Sequence, residues 1–225
     1  MNIEYSEIIH PIILSFKTVG VNLFLFFIFG VPLAYLLSKK ELKLKWLLEV
    51  VVTMPLVFPP IAVGFFLLMI LGRDSLIGGF LNNFDISFIF SFYGIVLAGF
   101  IAGLPLMVKP LQSAIQQFPQ EIKEASYISG KSQTKTLFFI VIPSIKKSLI
   151  AALLIASARA LGEVGITLML GGNIIGKTDT ISLAIFNAVF DGEYEIAMIF
   201  SLILVAVSLV LFVSLYFLEK KEKLI

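Results

Sequence analysis

Four long runs of apolar residues constrain this chain more strongly than any other feature of its sequence. The runs contain no charged side chain and extend over residues 18–38, 50–72, 86–108 and 196–218. Each is close to the roughly 20 residues that an α-helix needs to cross about 30 Å of hydrocarbon. Because 59% of the residues are hydrophobic and 14% are charged, the chain is too apolar for a soluble globular domain. We therefore predict an all-α polytopic membrane protein.

A fifth apolar stretch, residues 148–171, has a similar length but carries Arg159 and Glu163 near its middle. A charged side chain inside the bilayer is costly, so such residues are expected to pair or to have a function. With this stretch included, the sequence predicts one domain, residues 1–225, with about five transmembrane helices. The predicted limits of these spans are about 12–38, 47–71, 88–117, 146–171 and 196–218.

Lysine side chains indicate the orientation of these spans, because Lys and Arg in short loops are retained on the cytoplasmic side. They follow the first span, surround the segment between the third and fourth spans, and end the chain: Lys39, Lys40, Lys43, Lys45, Lys109, Lys123, Lys131, Lys135, Lys146, Lys147, Lys220, Lys221 and Lys223. The opposite loops hold Arg73 and Lys177. This asymmetry predicts an outside N-terminus and a cytoplasmic C-terminus. Because Glu4 and Glu7 replace a basic leader, no cleavable signal peptide is expected.

The polar segment between the third and fourth predicted spans contains residues at a specific spacing. They are Glu124-Ala125-Ser126, three residues, Gly130, nine residues, and Ile140-Val141-Ile142-Pro143. This arrangement resembles the EAA loop of ABC importer permeases, in which Glu-Ala-Ala, Gly and Ile-x-Leu-Pro have the same separations. Ser126 and Ile142 depart from that pattern by replacements of similar size. In that family the loop forms a cytoplasmic coupling helix that docks on a separate ATPase subunit.

Further blocks of sequence indicate which group of ABC importer permeases the chain resembles. The blocks at 54–60, 72–78, 90–94, 104–108, 158–165 and 177–181 are similar in order and spacing to the molybdate transport system permeases. Val164 and Asp179 depart from the Phe and Arg that are usual in that family. Sulfate and tungstate permeases share much of this layout, and the stretch 171–174 is closer to the tungstate branch. The resemblance covers residues 11–218 approximately.

This resemblance implies the fold of a type I ABC importer permease, with a coupling helix at about 120–131. The ATPase-coupling residues that it implies are Glu121, Glu124, Ala125, Ser126, Gly130, Ile140 and Pro143. It also implies a homodimer, two ABC ATPase subunits and an extracytoplasmic substrate-binding protein, with molybdate or a related oxyanion as substrate. ATP and Mg would bind to the ATPase, so no cofactor is expected in this chain. The location implied is the cell membrane.

The residues that we expect at the pathway or its gate are Pro55, Pro59, Pro60, Arg159, Glu163, Thr167 and Asn173. Prolines inside a span remove helix hydrogen bonds and kink the helix. Arg159 and Glu163 are four residues apart and can meet on one helical face. Two interpretations stay open: an ion pair that fixes helix register, or a pair that changes partners between transport states.

Small residues recur at four-residue spacing in two of the spans. Gly99 and Gly103 form a GxxxG pattern, and Ala152, Ala156 and Ala160 repeat in the next span. Such faces allow two helices to approach closely. The sequence leaves open whether they pack statically or slide past each other during gating.

The stretch 171–178 matches the phosphate-binding pattern GxxxxGK[ST] letter for letter. A P-loop requires a strand before it and a helix after it within an α/β domain. Only about 45 residues follow, and the predicted topology puts the stretch outside the cell. We therefore predict a turn that returns the chain to the outer face, with no nucleotide bound.

Other functional classes are less compatible with the sequence. The chain has no cysteine and one histidine, His10 at a predicted outer edge, which excludes thiolate sites and leaves no cluster for an intramembrane enzyme. The net charge of +2 reflects the lysine asymmetry and gives no reason to expect a nucleic acid partner. An ion-coupled secondary transporter stays as an alternative, although it would need inverted repeats and further buried acids.

Overall fold

The computed structural model describes residues 5–39 and 41–220. Within them the chain forms helices and connecting turns, without strands. The helices, in chain order, are α1 (Tyr5–Leu25), α2 (Val31–Ser38), α3 (Lys45–Val57), α4 (Pro60–Leu71), α5 (Leu76–Asn82), α6 (Phe92–Gln117), α7 (Gln120–Ile128), α8 (Gln133–Thr136), α9 (Ile142–Ser144), α10 (Lys146–Leu161), α11 (Gly165–Gly171), α12 (Ile181–Phe190) and α13 (Tyr194–Lys220). Among the charged residues named above, Glu4, Lys40, Lys221 and Lys223 lie outside the described residues.

The all-α membrane fold predicted from the sequence is confirmed. Within the described residues, three helical stretches are long and apolar enough to cross a membrane: Ile8–Ser38, Phe92–Gln117 and Tyr194–Phe217. Two bent helix pairs raise the number to five if each pair counts as one span. Large apolar side chains such as Phe24, Phe66 and Phe212 are exposed on the bundle exterior. An apolar exterior is what a lipid environment favours.

The first span is a single helix of 31 residues, in which a π-helical turn, Phe26–Gly30, joins α1 to α2. Phe26 is fully buried and stacks on Phe100 of α6, with ring centroids 5.5 Å apart. Gly30 allows close contact with α6, since a Cβ there would lie 2.8 Å from Met107 Cγ. The local widening of the helix thus occurs where it packs against its central neighbour.

The predicted span 47–71 is divided into two helices, α3 and α4. Phe58 and Pro59 between them have extended backbones, with ψ angles of 145° and 130°. A proline has no N–H to donate and its ring disfavours a helical conformation in the preceding residue. Pro59 and Pro60 therefore end α3 and let α4 begin at Pro60, so the interruption expected at these prolines is a break between two helices. Pro55 lies inside α3.

Helix α6 is the centre of the bundle, where it contacts α1, α2, α3, α10 and α11. The hydroxyl of Ser91 accepts from the Gly94 N–H and caps the first turn of α6. This helix begins at Phe92, whereas the predicted span begins at about residue 88. A Cβ on Gly99 would collide with the Asn22 side chain and one on Gly103 with the Phe26 ring. The small residues of α6 therefore allow its close approach to the first span.

The predicted span 146–171 is also divided, into α10 and α11. The chain leaves the helix at Gly162 and Glu163 and resumes it at Gly165, so a non-helical break lies within this predicted span. The connection from α11 to α12 packs into the bundle, because the Ile181 N–H donates to Ser15 Oγ of α1 at 2.9 Å. Ser182 Oγ donates to the Leu161 carbonyl at 2.9 Å. The region after α11 is therefore part of the helical core.

Candidate functional site

The segment between α6 and α10 presents the short helix α7, which corresponds to the predicted coupling helix. Glu121, Glu124 and Ala125 are exposed, whereas Ser126 is buried. The hydroxyls of Ser126 and Thr136 lie 2.8 Å apart and join α7 to α8. One side of α7 is thus attached to the protein, and its acidic residues are accessible.

Gly130 determines where α7 ends. Its φ angle of 79° lies in the left-handed region that glycine adopts most readily. The Gly130 N–H donates to the Tyr127 carbonyl at 2.9 Å, and the Lys131 N–H donates to the Ser126 carbonyl at 3.1 Å. The helix therefore ends at Ile128 rather than at 131. A Cβ on Gly130 would meet no atom within 4 Å, so this turn is open toward the exterior.

The last two predicted coupling residues lie beyond α8. Ile140 is partly buried in a π-helical turn, Leu137–Val141, and Pro143 is exposed at the start of α9. Between residues 133–144 and α10 the helix axis bends by 82°. The EAA-like residues therefore occupy several short helical pieces that turn away from the long axis of α10.

Two lysines that the sequence indicated as topology signals also fix the coupling segment. Lys123 Nζ donates to the Ile115 carbonyl at 3.0 Å and lies 5.8 Å from the ring centroid of Phe118. Burial in this position lowers the pKa of the Lys123 ammonium. Lys39 Nζ donates to Gln133 Oε1 at 2.9 Å. These contacts connect the coupling segment to α6 and to the end of α2.

A buried amide, which sequence reasoning missed, joins three helices above the coupling segment. Gln112 Nε2 donates to the Leu37 carbonyl of α2 and to Glu49 Oε1 of α3, both at 3.0 Å. Lys109 Nζ lies 3.7 Å from Glu49 Oε1. The available sequence signal was a glutamine among apolar residues of α6, which is expected to find a partner helix.

Arg159 and Glu163 pair as their spacing predicted. Arg159 Nη1 lies 2.6 Å from Glu163 Oε2, and the two side chains are 30% and 1% exposed. The second carboxylate oxygen, Glu163 Oε1, accepts from the Ile166 N–H at 2.8 Å. Glu163 thus balances the arginine charge and caps the first turn of α11, a role that the sequence did not suggest.

The two helix breaks lie side by side in the bundle. Pro60, the first residue of α4, packs against Gly165, the first residue of α11, where an added Cβ would lie 2.8 Å from Pro60 Cβ. Helices α4 and α11 also contact each other along their length. The structure therefore brings the break at Pro59 and Pro60 next to the break that contains Glu163.

The other three pathway candidates occupy three different elements. Thr167 is buried beside Thr180 in a small cavity. Asn173 has a φ angle of 51°, and its Oδ1 accepts from Asn187 Nδ2 at 3.1 Å. Pro55 is partly buried within α3. Thr167 thus lies in α11, four residues after Glu163, whereas Pro55 and Asn173 belong to α3 and to the turn after α11.

An open groove of about 580 Å³ runs between α6 and α10. Its polar lining includes Ser113 and Gln117 of α6 and Ser148 of α10. Ile155 of α10 also lines it, and Arg159 lies one helical turn beyond Ile155 on the same face. The groove and the exposed part of the arginine side chain therefore follow one side of α10.

The stretch that matches the P-loop pattern forms the turn between α11 and α12. Thr178 Oγ1 donates to the Gly171 carbonyl and accepts from the Ile174 N–H, both at 2.8 Å. In a P-loop this hydroxyl binds Mg, whereas here it closes the turn. The next residue, Asp179, is buried, and its Oδ1 lies 2.9 Å from His10 Nδ1. His10 therefore contacts a buried carboxylate, which the sequence did not predict.

Long apolar helices, an apolar exterior and an exposed polar segment define a multi-pass integral membrane protein. The chain belongs to the family described as "Binding-protein-dependent transport system inner membrane component", whose sequence profile matches residues 27–223. It is therefore the membrane-spanning permease subunit of a transport system and not an enzyme. This confirms the family predicted from the EAA-like spacing.

Individual relatives cover most of the chain. It is 38% identical over 204 residues to "Probable transport system permease protein NifC" of Clostridium pasteurianum, which covers 90% of this chain and 71% of that relative. It is 32% identical over 182 residues to the molybdenum transport system permease protein ModB of Azotobacter vinelandii, with 80% of each chain covered. A sulfate transport system permease protein, CysT of Salmonella typhimurium, is 27% identical over 194 residues, or 86% of this chain and 70% of its own.

Proposed function

We propose that this chain is the permease subunit of an ATP-driven oxyanion importer whose substrate is molybdate. The observation that carries the proposal is its similarity to the molybdenum permease of Azotobacter vinelandii, at 32% identity over 80% of both chains. The sulfate permease of Salmonella typhimurium is less similar, at 27%. Sulfate and tungstate are therefore the alternative substrates.

In this proposal the permease works as a homodimer with two ABC ATPase subunits and an extracytoplasmic binding protein. Helix α7 and the residues around Gly130, Ile140 and Pro143 dock on the ATPase. The exposed acidic residues of α7 and the open turn at Gly130 support this assignment. The lysine asymmetry supports a cytoplasmic position for the segment, with the N-terminus outside.

The proposed pathway lies along the groove between α6 and α10 in the dimer. Ser113, Gln117 and Ser148 would offer hydroxyl and amide groups to a passing anion. Arg159, whose charge is balanced by Glu163, lies beyond them on the same side of α10. A pathway with few charges can pass a dianion without trapping it. The adjacent breaks at Pro60 and Glu163 would let α4 and α11 move during gating.

Reconstituted transport tests this proposal. The permease, its ATPase and its binding protein are placed in liposomes, and ATP-dependent uptake of labelled molybdate is measured with excess tungstate or sulfate as competitor. Preferential block by sulfate would move the assignment to a sulfate permease. Uptake that proceeds without ATP and follows an ion gradient would contradict the ABC mechanism in favour of a secondary transporter.

A further inference from the structure

A small polar cavity lies where α1, α6, α10 and α11 meet the turn before α12. Four hydroxyl side chains line it: Ser15 and Thr18 of α1, Thr167 of α11, and Thr180. All four residues are at least nine-tenths buried. Ile95 and Leu161 close the apolar side. The cavity has about 10 Å³ for the centre of a water-sized sphere.

The hydrogen bonds around this cavity leave specific donors and acceptors free. Thr180 Oγ1 is buried and has no hydrogen-bond partner among the described residues. Ser15 Oγ accepts from the Ile181 N–H at 2.9 Å, which leaves its O–H available to donate. Thr18 Oγ1 donates to the Leu14 carbonyl at 2.8 Å, which leaves its lone pairs available to accept. A buried hydroxyl without a partner is rare in folded proteins.

Size and charge decide what this cavity can hold. A space of about 10 Å³ for its centre leaves room for a water molecule, which needs two to four polar partners. A tetrahedral oxyanion, with five heavy atoms, is larger than a water molecule and would bring a charge that no lining residue balances. The four lining hydroxyls are neutral, so they offer little to compensate the charge of a dehydrated cation.

We propose that these four hydroxyls form a binding site for one structural water molecule. The water accepts from Ser15, donates to Thr18 and pairs with Thr180, within reach of Thr167. It thereby completes the joint that already includes the Ile181–Ser15 and Ser182–Leu161 hydrogen bonds. This joint holds the α11–α12 connection against α1 and α10. The proposal is independent of the substrate of the transporter.

Hydroxyl-radical footprinting of the full chain in lipid nanodiscs tests the site directly, because radicals form at bound water and oxidise adjacent side chains. Ile95 and Leu161 each have a matched control of the same residue type in the apolar core. Ile95 and its control Ile115 are both 1% exposed, and Leu161 and its control Leu149 are both 7% exposed. We expect about threefold or faster oxidation of each cavity residue relative to its control, since a water is in contact with it. Equal rates within both pairs would overturn the proposal.

Thr180→Val gives a second test, because it should lower the unfolding temperature if the site holds water but not if the site is dry. If water occupies the site, valine leaves it with one partner fewer, so the thermal unfolding temperature and the oxidation of Leu161 should both fall. Thr180→Ser should retain both. If the site is dry, valine removes an unpaired hydroxyl, and an unchanged or raised unfolding temperature would refute the proposal. An unfolding temperature that depends on sodium rather than choline chloride would assign the site to a cation and refute it too.

Discussion

The pair formed by Arg159 and Glu163 allows a prediction whose magnitudes follow from the structure. Glu163 is 1% exposed and has two partners, Arg159 Nη1 and the Ile166 N–H. Arg159→Gln leaves a buried carboxylate without its counter-charge, which should cost about 3–5 kcal/mol of folding free energy. Because the Arg159 side chain is 30% exposed, removal of the Glu163 charge instead should cost less folding free energy. Glu163→Gln keeps an acceptor for Ile166 and leaves a cation that can reach polar surroundings, at a cost of about 1 kcal/mol.

The double variant Arg159→Gln with Glu163→Gln removes both charges and retains the cap of α11. We expect its stability to return to within about 1 kcal/mol of the original protein. Replacing Glu163 by Ala in the same Arg159→Gln background deletes the cap and should cost about 1 kcal/mol more than the double glutamine variant. That matched comparison separates the helix cap from the ion pair.

Reversible unfolding in mixed detergent, followed by circular dichroism, gives the free energies, and ATP-dependent uptake gives function. The expected order of stability places Arg159→Gln lowest, with Glu163→Gln and the double variant above it. A double variant less stable than either single variant would refute the pairing argument, because the two charges would then have separate essential partners. A stable double variant that hydrolyses ATP without uptake would assign the pair to gating, whereas full uptake would assign it to structure.

Three further predictions concern the coupling segment and the turn between α11 and α12. Gly130→Asp should leave the permease folded, because a side chain there meets no atom within 4 Å and the left-handed φ of 79° costs an aspartate only about 1–2 kcal/mol. The change should nevertheless abolish ATPase association, and normal uptake would remove the coupling assignment. Ser126→Ala leaves the buried Thr136 hydroxyl without its partner and should destabilise the protein by about 1–3 kcal/mol, whereas Ser126→Ala with Thr136→Val should recover most of this loss in the same unfolding assay. Lys177→Ala should leave the rate of ATP hydrolysis by the assembled complex within about twofold of the original rate, since Thr178 of the same turn is already hydrogen-bonded. A loss of hydrolysis with intact assembly would support a P-loop.

Features that depend on local composition could be predicted from the sequence. The apolar runs gave the membrane fold, and the spacing from Glu124 to Pro143 gave the family. The four-residue separation of Arg159 and Glu163 gave their pairing. These features are local because a helix fixes the geometry of residues that are close in sequence.

The helix breaks and the polar contacts between distant elements could not be predicted in the same way. Pro59 and Pro60 indicated a kink, but whether the chain bends or leaves the helix depends on the neighbouring helices that satisfy the freed backbone groups. Gln112 bonds to residues 75 and 63 positions away. His10 and Asp179 are 169 positions apart in the sequence yet meet in the bundle. Only the three-dimensional packing brings such groups together.

The position of the two helix breaks follows from what a membrane requires of the protein backbone that crosses it. A break frees N–H and C=O groups, and hydrocarbon offers them no partner, so interrupted helices occur where protein or water surrounds them. Here Pro60 needs no acceptor for an N–H, and Glu163 accepts from Ile166, so each side of the paired break satisfies part of this requirement. The negative charge that makes Glu163 a good acceptor must itself be balanced, which Arg159 does at 2.6 Å. The arginine in the middle of this span is therefore linked to the interruption of the helix, and movement of either break would disturb the charge pair beside the proposed pathway.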